Sequence, residues 1–448
     1  MVVEGPTRRA VGVPGAHGLS SLILIFSGWL CACSSSGNAG NPTTQVDGSI
    51  ASGGASSGGS GGAATGGVNA NTGGASSAGG AGGGAAGSAG AGGSGAGGAS
   101  NADASAPKGV LVIVGSGSYG GSNGRLSLFR YDLGTGEWTP KGGIDAGGLE
   151  SFAAWDGARS ALYAADEADG NLRRFAFDAA TFSLSAPTSV TTAGHPVFVT
   201  TTRSGAFALV AHYNEGSVQA FPTSGGTPGA AVDSESPGSQ AHAIVLSPDE
   251  RFAYVPCKGS DLVARYAFDA ATGALTAAPP ATTTQANDGP RHIAFTRDGR
   301  RAFVVNEKSS TVLSFTVDPV TGALTQADRV SSLPEGFSGQ STGAEILVSP
   351  TGGTVYVTNR ETGTDGDVLS LRVESDGHLT PLVHRSTKGQ TPRSAALDPS
   401  GSVLFVGNQD DTTVAILPVD GATGGLGTAR VVDVGNAPYF VGTAPLSE

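Results

Sequence analysis

Cysteine is nearly absent from this chain: there are three in 448 residues, and only Cys257 lies beyond residue 33. An internal disulfide is therefore excluded for residues 108–448, which must be held together by packing alone. No set of histidines and cysteines has the spacing of a zinc site, so no metal is expected. A serine-nucleophile elbow, which needs a strand-to-helix turn, is also lacking, and this argues against acyl-enzyme chemistry. Helical 3.6-residue periodicity is nowhere sustained. The formal net charge of −12 argues against nucleic acid as a partner and leaves no basic patch for a membrane surface.

What is present falls into three parts. Residues 1–33 carry Arg8 and Arg9 ahead of the apolar run LSSLILIFSGWL, too short to span a bilayer but suited to the core of a secretory signal. The run ends in Leu30-Cys31-Ala32-Cys33, which resembles a bacterial lipobox and selects Cys33 for lipidation. The implied location is outside the cytosol, anchored to a bacterial membrane through lipid only, on the periplasmic or cell-surface side. Residues 34–107 collapse to Gly, Ala, Ser, Thr and Asn, with little to bury, and read as a flexible tether. Its mean span is on the order of 45 Å. Glycine strings within it are not nucleotide loops, because no strand precedes them and no helix follows.

Residues 108–448 repeat a hairpin. Aligned on the turn, the copies are ESFAAWDGARSALYAADE, PVFVTTTRSGAFALVAHY, AHAIVLSPDERFAYVPCK, PRHIAFTRDGRRAFVVNE, GAEILVSPTGGTVYVTNR and PRSAALDPSGSVLFVGNQ. The period is about 45 to 53 residues, in the range of propeller blades. A second hairpin follows most copies, as in SSTVLSFTVD-PVTG-ALT, so each unit makes a four-stranded antiparallel blade. The domain begins with KGVLVIVGSG, which lacks a unit's first strand, and ends with GNAPYFVG, a first strand with nothing after it. Together these complete a seventh blade. The expectation is an all-β, seven-bladed β-propeller whose ring is closed by joining its N- and C-terminal strands.

In such a ring the starts of first strands and the ends of second strands meet at one mouth of the central channel. The starts are Ser151, Val197, His242, Arg291, Ala344 and Arg393, with His292 and Glu345 one step on; the ends are Glu167, Tyr213, Lys258, Glu307, Arg360 and Gln409. Arginine forks suit phosphate or carboxylate, and a histidine beside a carboxylate suits activation of water. Opening a lactone needs a base for water and positive charge for the oxyanion, and this set holds both. Blade-end groups such as Glu167, Gln409 and Tyr213 also commonly satisfy loop backbone. His195, His378 and His384 read as solvated loop residues without partners.

The segments AHAIVLSPDERFAYVP, GPRHIAFTRDGRRAFVVNE, LPEGFSGQSTGAEILVSP with VYVTNR, and GQTPRSAALDPSGSVLFVGNQ resemble the seven-bladed β-propeller lactonases. That family includes bacterial 6-phosphogluconolactonases and the fungal 3-carboxy-cis,cis-muconate lactonising enzyme. The resemblance implies catalytic roles for His242, Arg291, Glu307 and Arg360. Lys258, His292, Glu345, Arg393 and Glu167 form the candidate substrate-binding set around them. Two positions depart from the family pattern: Phe198 stands where phosphogluconolactonases often carry histidine, and His212 replaces the usual asparagine before Tyr213. The expected activity is hydrolysis of a sugar-acid lactone or similar anionic sugar acid by an exported monomer without a cofactor. Two alternatives stay open: a muconate-type cycloisomerase using the same base, and a non-catalytic surface propeller that binds a glycan or protein. VYVTN resembles the repeat of surface-layer propellers.

Overall fold

The structure is a computed structural model and describes residues 108–118 and 123–446. The signal-like segment, Cys33 and the glycine-rich stretch lie outside the described residues. Among those described there is no helix, only strands, turns and bends.

Every strand pairs antiparallel within one of seven sheets. Blade 1 joins Gly109–Ser116, Gly124–Asp132 and Trp138–Gly147 to the final strand Pro438–Pro445. Blades 2 to 7 follow in order, opening with Glu150–Trp155, Pro196–Thr201, Val245–Leu246, Pro290–Phe295, Ser341–Val348 and Pro392–Leu397. In blades 2 and 4 the outermost strand is broken into two short pieces, Ser183–Leu184 with Thr188–Thr191 and Leu275–Ala277 with Thr282–Thr283. Proline causes the breaks: Pro187 falls in one gap, Pro279 and Pro280 in the other, and none can donate to the ladder.

The predicted turn at Asp298-Gly299 shows how the hairpins are written. Gly299 takes φ +69°, open to glycine without cost, and its amide donates to the Thr296 carbonyl at 2.9 Å. Asp298 Oδ1 accepts from Thr296 Oγ1 at 2.6 Å and from the Arg300 amide at 3.1 Å, so the side chain closes the turn as well.

Blade strands read as continuous apolar runs because both of their faces are buried. In Gly109–Ser116, Leu111 and Ile113 point toward blade 2 while Val110, Val112 and Val114 point toward blade 7. The seven hydrophobic clusters among the described residues correspond to the seven contacts between neighbouring blades. One of them, uniting Val110, Val112 and Val441 with Val403 and Phe405, seals blade 7 to blade 1 and closes the circle.

The latch belongs to both neighbours. Phe440 packs into the blade 1–2 cluster and Val441 into the blade 7–1 cluster, while Thr443 Oγ1 donates to the Leu397 carbonyl of blade 7 at 2.6 Å. Truncating Phe440 to alanine is expected to cost about 3 kcal/mol, measured by chemical denaturation. Deleting residues 438–448 strips blade 1 of a strand and should abolish a single cooperative unfolding transition; a sharp transition in that variant would show that the ring is stable unlatched.

Candidate active site

Each blade brings its site residues inward through a local irregularity. In blade 5, Pro290 pairs with Asn306 and His292 with Val305, leaving Arg291 outside the ladder. The same skip frees Ser151 in blade 2, Val197 in blade 3 and Arg393 in blade 7, and in blade 6 it frees Ala344 and Glu345 together. In blade 4 the ladder shrinks to a bridge between Ala241 and Cys257, with the His242 amide donating to the Pro256 carbonyl at 2.9 Å. A bulge suspends the strict alternation of side chains, so consecutive residues such as Arg291 and His292 can both join the site.

These devices gather the groups singled out from the sequence around one carboxylate, Glu307. Its Oε1 lies 2.5 Å from Lys258 Nζ, and its Oε2 lies 3.3 Å from Arg291 Nε, 3.3 Å from Arg360 Nη2 and 3.9 Å from His242 Nε2. Arg360 Nη2 also donates to the Gly343 carbonyl at 3.2 Å, and Arg291 Nη1 to the Ala344 carbonyl at 2.8 Å. His292 Nδ1 stands 2.7 Å from Glu345 Oε1. Arg393 spreads over the Tyr439 ring, 5.3 Å from its centroid, close enough for its charge to bear on His242, Arg291 and His292. Glu167 stands apart in blade 2, where its carboxylate accepts from Ser151 Oγ, and Gln409 donates to neighbouring Asp410 at 3.3 Å.

The charge balance is positive: Lys258, Arg291, Arg360 and Arg393 face Glu307 and Glu345. Burial pushes the Glu307 carboxyl up, but Arg360, Lys258 and Arg291 outweigh it and hold it down at about 2. Burial, then the guanidiniums of Arg360 and Arg393, pushes Arg291 down to about 9. Burial, then the charge of Arg291, drives His242 well below the ordinary 6.5, so its imidazole is neutral at neutral pH. Two buried nitrogens in this group have no hydrogen-bond partner among the described residues, His242 Nδ1 and Arg360 Nε, and Arg291 Nε has only its ion pair with Glu307.

The opposite wall is aromatic. Phe152 and Phe198 stack with centroids 4.0 Å apart, and Phe440 meets Phe152 at 5.2 Å. The Tyr213 ring stands edge-on to His242 at 5.4 Å and lies beneath Lys258 Nζ. Sequence reading noticed Phe198 only as a departure and passed over Phe152. Both follow the freed residue of their blade, as His292 does, and that offset is the signal that finds them.

The described part of the chain thus pairs a closed seven-bladed ring with a cationic, histidine-bearing cup at its centre. A family described as seven-bladed β-propeller lactonase matches residues 112–441. The chain belongs to that family. A 6-phosphogluconolactonase of Klebsiella pneumoniae subsp. pneumoniae is 28% identical over 249 residues, 55% of this chain and 74% of that protein. One from Cronobacter sakazakii is 26% identical over 249 residues, covering 55% of this chain and 74% of that protein. Among solved structures, the periplasmic gluconolactonase of Pseudomonas aeruginosa is similar at TM-score 0.69 and 26% identity, over 76% of this chain and all of that one.

Two features of this lactonase-family chain correct or extend the sequence reading. His195, His378 and His384 are not partnerless: they face Glu215, Asp328 and Asp367 at 3.3, 3.3 and 2.6 Å, and His384 lies within the strand Leu379–Ser386 rather than in a loop. A second acidic group, unnoticed in the sequence, sits beside the site in blade 2. Arg173 Nη1 reaches Glu150 Oε1 at 2.9 Å, and its Nη2 reaches Asp166 Oδ2 at 2.6 Å and Asp169 Oδ2 at 3.0 Å. Burial pushes the Glu150 carboxyl up to about 8 against the pull of Arg173, so one guanidinium serves several acids only while Glu150 holds a proton. Because that value is raised above the free 4.5, folding takes up a proton, and stability is lost as pH rises from about 4.5 to about 8. Melting temperature followed from pH 5 to 9 should therefore fall less in Glu150→Gln than in the wild type; parallel curves would contradict a buried neutral Glu150.

Proposed function

We propose that this protein is an exported hydrolase of a sugar-acid lactone. One observation carries the reading: a neutral imidazole and two guanidiniums converge on one ionised carboxylate, while buried His242 Nδ1 and Arg360 Nε keep hydrogen-bonding capacity that nothing among the described residues takes up. Two cationic donors beside a neutral base are what addition of water to a lactone carbonyl requires.

In this scheme His242 takes a proton from water, and the oxygen of that water bonds to the lactone carbonyl carbon. Negative charge gathers on the carbonyl oxygen, where Arg291 and Arg360 meet it. The bond from carbon to the ring oxygen then breaks, and the departing alkoxide recovers the proton from His242. Lactone and water become one hydroxy acid. Glu307, held down at about 2, is too weak a base to take the proton itself. Its charge instead orients the surrounding cations and faces the imidazolium. The two charges formed in the reaction support each other: an oxyanion offsets the arginines that otherwise oppose protonation of His242. Lys258 and Arg393 supply further positive charge for an anionic substrate. Ser151 with Glu167 offers polar contacts to hydroxyls, and His292 with Glu345 stands behind Arg291.

Export is supported by the apolar run in residues 19–30 and by the likeness to a periplasmic gluconolactonase. Cys33 is the proposed lipid attachment point, residues 34–107 the tether and residues 108–448 the catalytic domain. The location outside the cytosol favours an unphosphorylated lactone over the 6-phosphate.

The purified protein is to be offered glucono-δ-lactone, its 6-phosphate and a muconolactone, with spontaneous hydrolysis subtracted. His242→Ala should lower kcat by ~10²–10⁴-fold. Arg291→Ala and Arg360→Ala should each lower it by ~10²–10³-fold, without loss of thermal stability. Because the base form of His242 survives well below pH 6.5, kcat/KM should stay level through neutrality and fall only in more acid solution. Silence across the panel, with glycan or protein binding retained, would replace the enzyme with a binding module.

A further inference from the structure

The reaction as drawn leaves His292 without a chemical task, although it sits at the centre of the cup with a side chain only 5% exposed. Arg291 Nη1 lies 3.2 Å from its Nε2 and 3.3 Å from its Nδ1. The in-plane lone-pair directions of the two ring nitrogens diverge, so a single donor equidistant from both lies across the ring face. The same Nη1 donates to the Ala344 carbonyl, while Nε faces Glu307. Arg291 is therefore fixed at three places: a carboxylate, a carbonyl and the flat of an imidazole.

The imidazole is itself held on its other sides. Nδ1 meets Glu345 Oε1, which also accepts the Ile346 amide at 3.1 Å, and the Glu345 amide donates to Thr358 Oγ1 at 2.9 Å. Phe198 at 5.2 Å, Phe152 at 5.8 Å and His242 at 5.3 Å stand across the ring at steep angles. This ring serves as a shelf only while it is uncharged, because an imidazolium under a guanidinium would repel it. The groups facing it are Arg291 and Arg393, which oppose protonation, Glu345, which favours it, and neutral His242. Burial together with the arginines prevails, so His292 lies below its ordinary value. Its Nδ1–H then donates to Glu345.

We propose that His292, anchored by Glu345, is a positioning residue: a flat, neutral shelf that keeps the Arg291 guanidinium aimed at the substrate oxyanion. This rests on the role given to Arg291 above. It makes the shape of the ring matter and its nitrogens dispensable once Arg291 is in place.

The test compares His292→Ala, His292→Phe, Arg291→Ala and the double variant His292→Ala/Arg291→Ala in the full-length protein. The readouts are kcat and KM on glucono-δ-lactone, melting temperature, and crystal structures of both His292 variants. His292→Ala should lower kcat at least ~10-fold with little change in KM, as expected for loss of transition-state stabilisation. The double variant should be no worse than Arg291→Ala alone, because both changes remove one interaction. His292→Phe keeps a flat ring among the same aromatics and should stay within about threefold of the wild type, with Arg291 still on the Ala344 carbonyl.

Equal damage from His292→Phe and His292→Ala would overturn the proposal and give a ring nitrogen a direct part in the chemistry. Additive losses in the double variant would overturn it as well. Full activity in Arg291→Ala would instead sink the catalytic role of that arginine. The shelf would then be judged from the crystals alone: a guanidinium unmoved in His292→Ala refutes it, and one displaced from Ala344 but retained there in His292→Phe supports it. Should His292→Ala fail to fold, Glu345→Gln, which loosens the anchor without removing the ring, takes its place with the same direction of effect on kcat.

Discussion

A sheet that is apolar on both faces cannot stand alone in water, and every blade of this protein is such a sheet. With no internal disulfide available and no helices among the described residues to cover them, the blades can be buried only against one another. Seven clusters between seven neighbours meet that demand, provided the last blade finds the first. Closure is therefore the condition on which burial of the end blades depends, and the strand carrying Phe440 and Val441 supplies it by serving two interfaces at once. The central cup follows from closure, since a circle of sheets has one axis to which every blade presents the same edge.

Why that edge can hold chemistry is a separate matter, and bulges answer it. A regular strand would send Arg291 and His292 to opposite faces and leave room for one of them. The skipped position after Pro290 lets both turn inward, and the corresponding skips elsewhere add Arg393, Glu345 and Phe152. The interior is thereby divided. Blades 1 to 3 contribute mainly rings, while blades 4 to 7 contribute mainly charge. The arginines are close enough to raise one another's cost of ionisation, and Glu307 offsets part of that cost without cancelling it. A site left with surplus positive charge is arranged for an anionic or oxygen-rich ligand.

The architecture could be read from the chain because it depends on local, repeated signals: turns such as Asp298-Gly299, apolar runs of strand length, and a missing first strand matched by a surplus one at the other end. The meeting of His242, Arg291, Glu307 and Arg360 could be read too, because the repeat fixes which positions reach the axis. What escaped depends on side-chain geometry between blades. Phe152 was passed over, since strict alternation gives no hint that a bulge turns it toward His292. His384 looked solvated because its partner Asp367 lies 17 residues earlier on a paired strand. Glu150 drew no role from its place at the head of a repeat, and only packing around Arg173 shows that it is enclosed. In all three cases neighbours in space, and not neighbours in sequence, decide what the residue does.

The buried acids of blade 2 and the cluster around Glu307 show how one kind of residue takes opposite states a short distance apart. Glu150 is opposed by burial and by Asp166 and Asp169, with Arg173 alone to favour its charge, and it stays protonated near neutrality. Glu307 is buried almost as deeply, yet three cations from three blades hold it ionised. Burial alone therefore does not decide the charge of a carboxyl in this ring; the number of cations that adjacent blades bring to it does. The same count acts on the bases. Burial first, and then Arg291, His292, Lys258 and Arg393, oppose the charge of His242, and it remains a free base. An anion entering the cup would lower that opposition, so binding and the basicity of His242 are coupled through the arginines, and a substrate carrying negative charge would sharpen the base that acts on it.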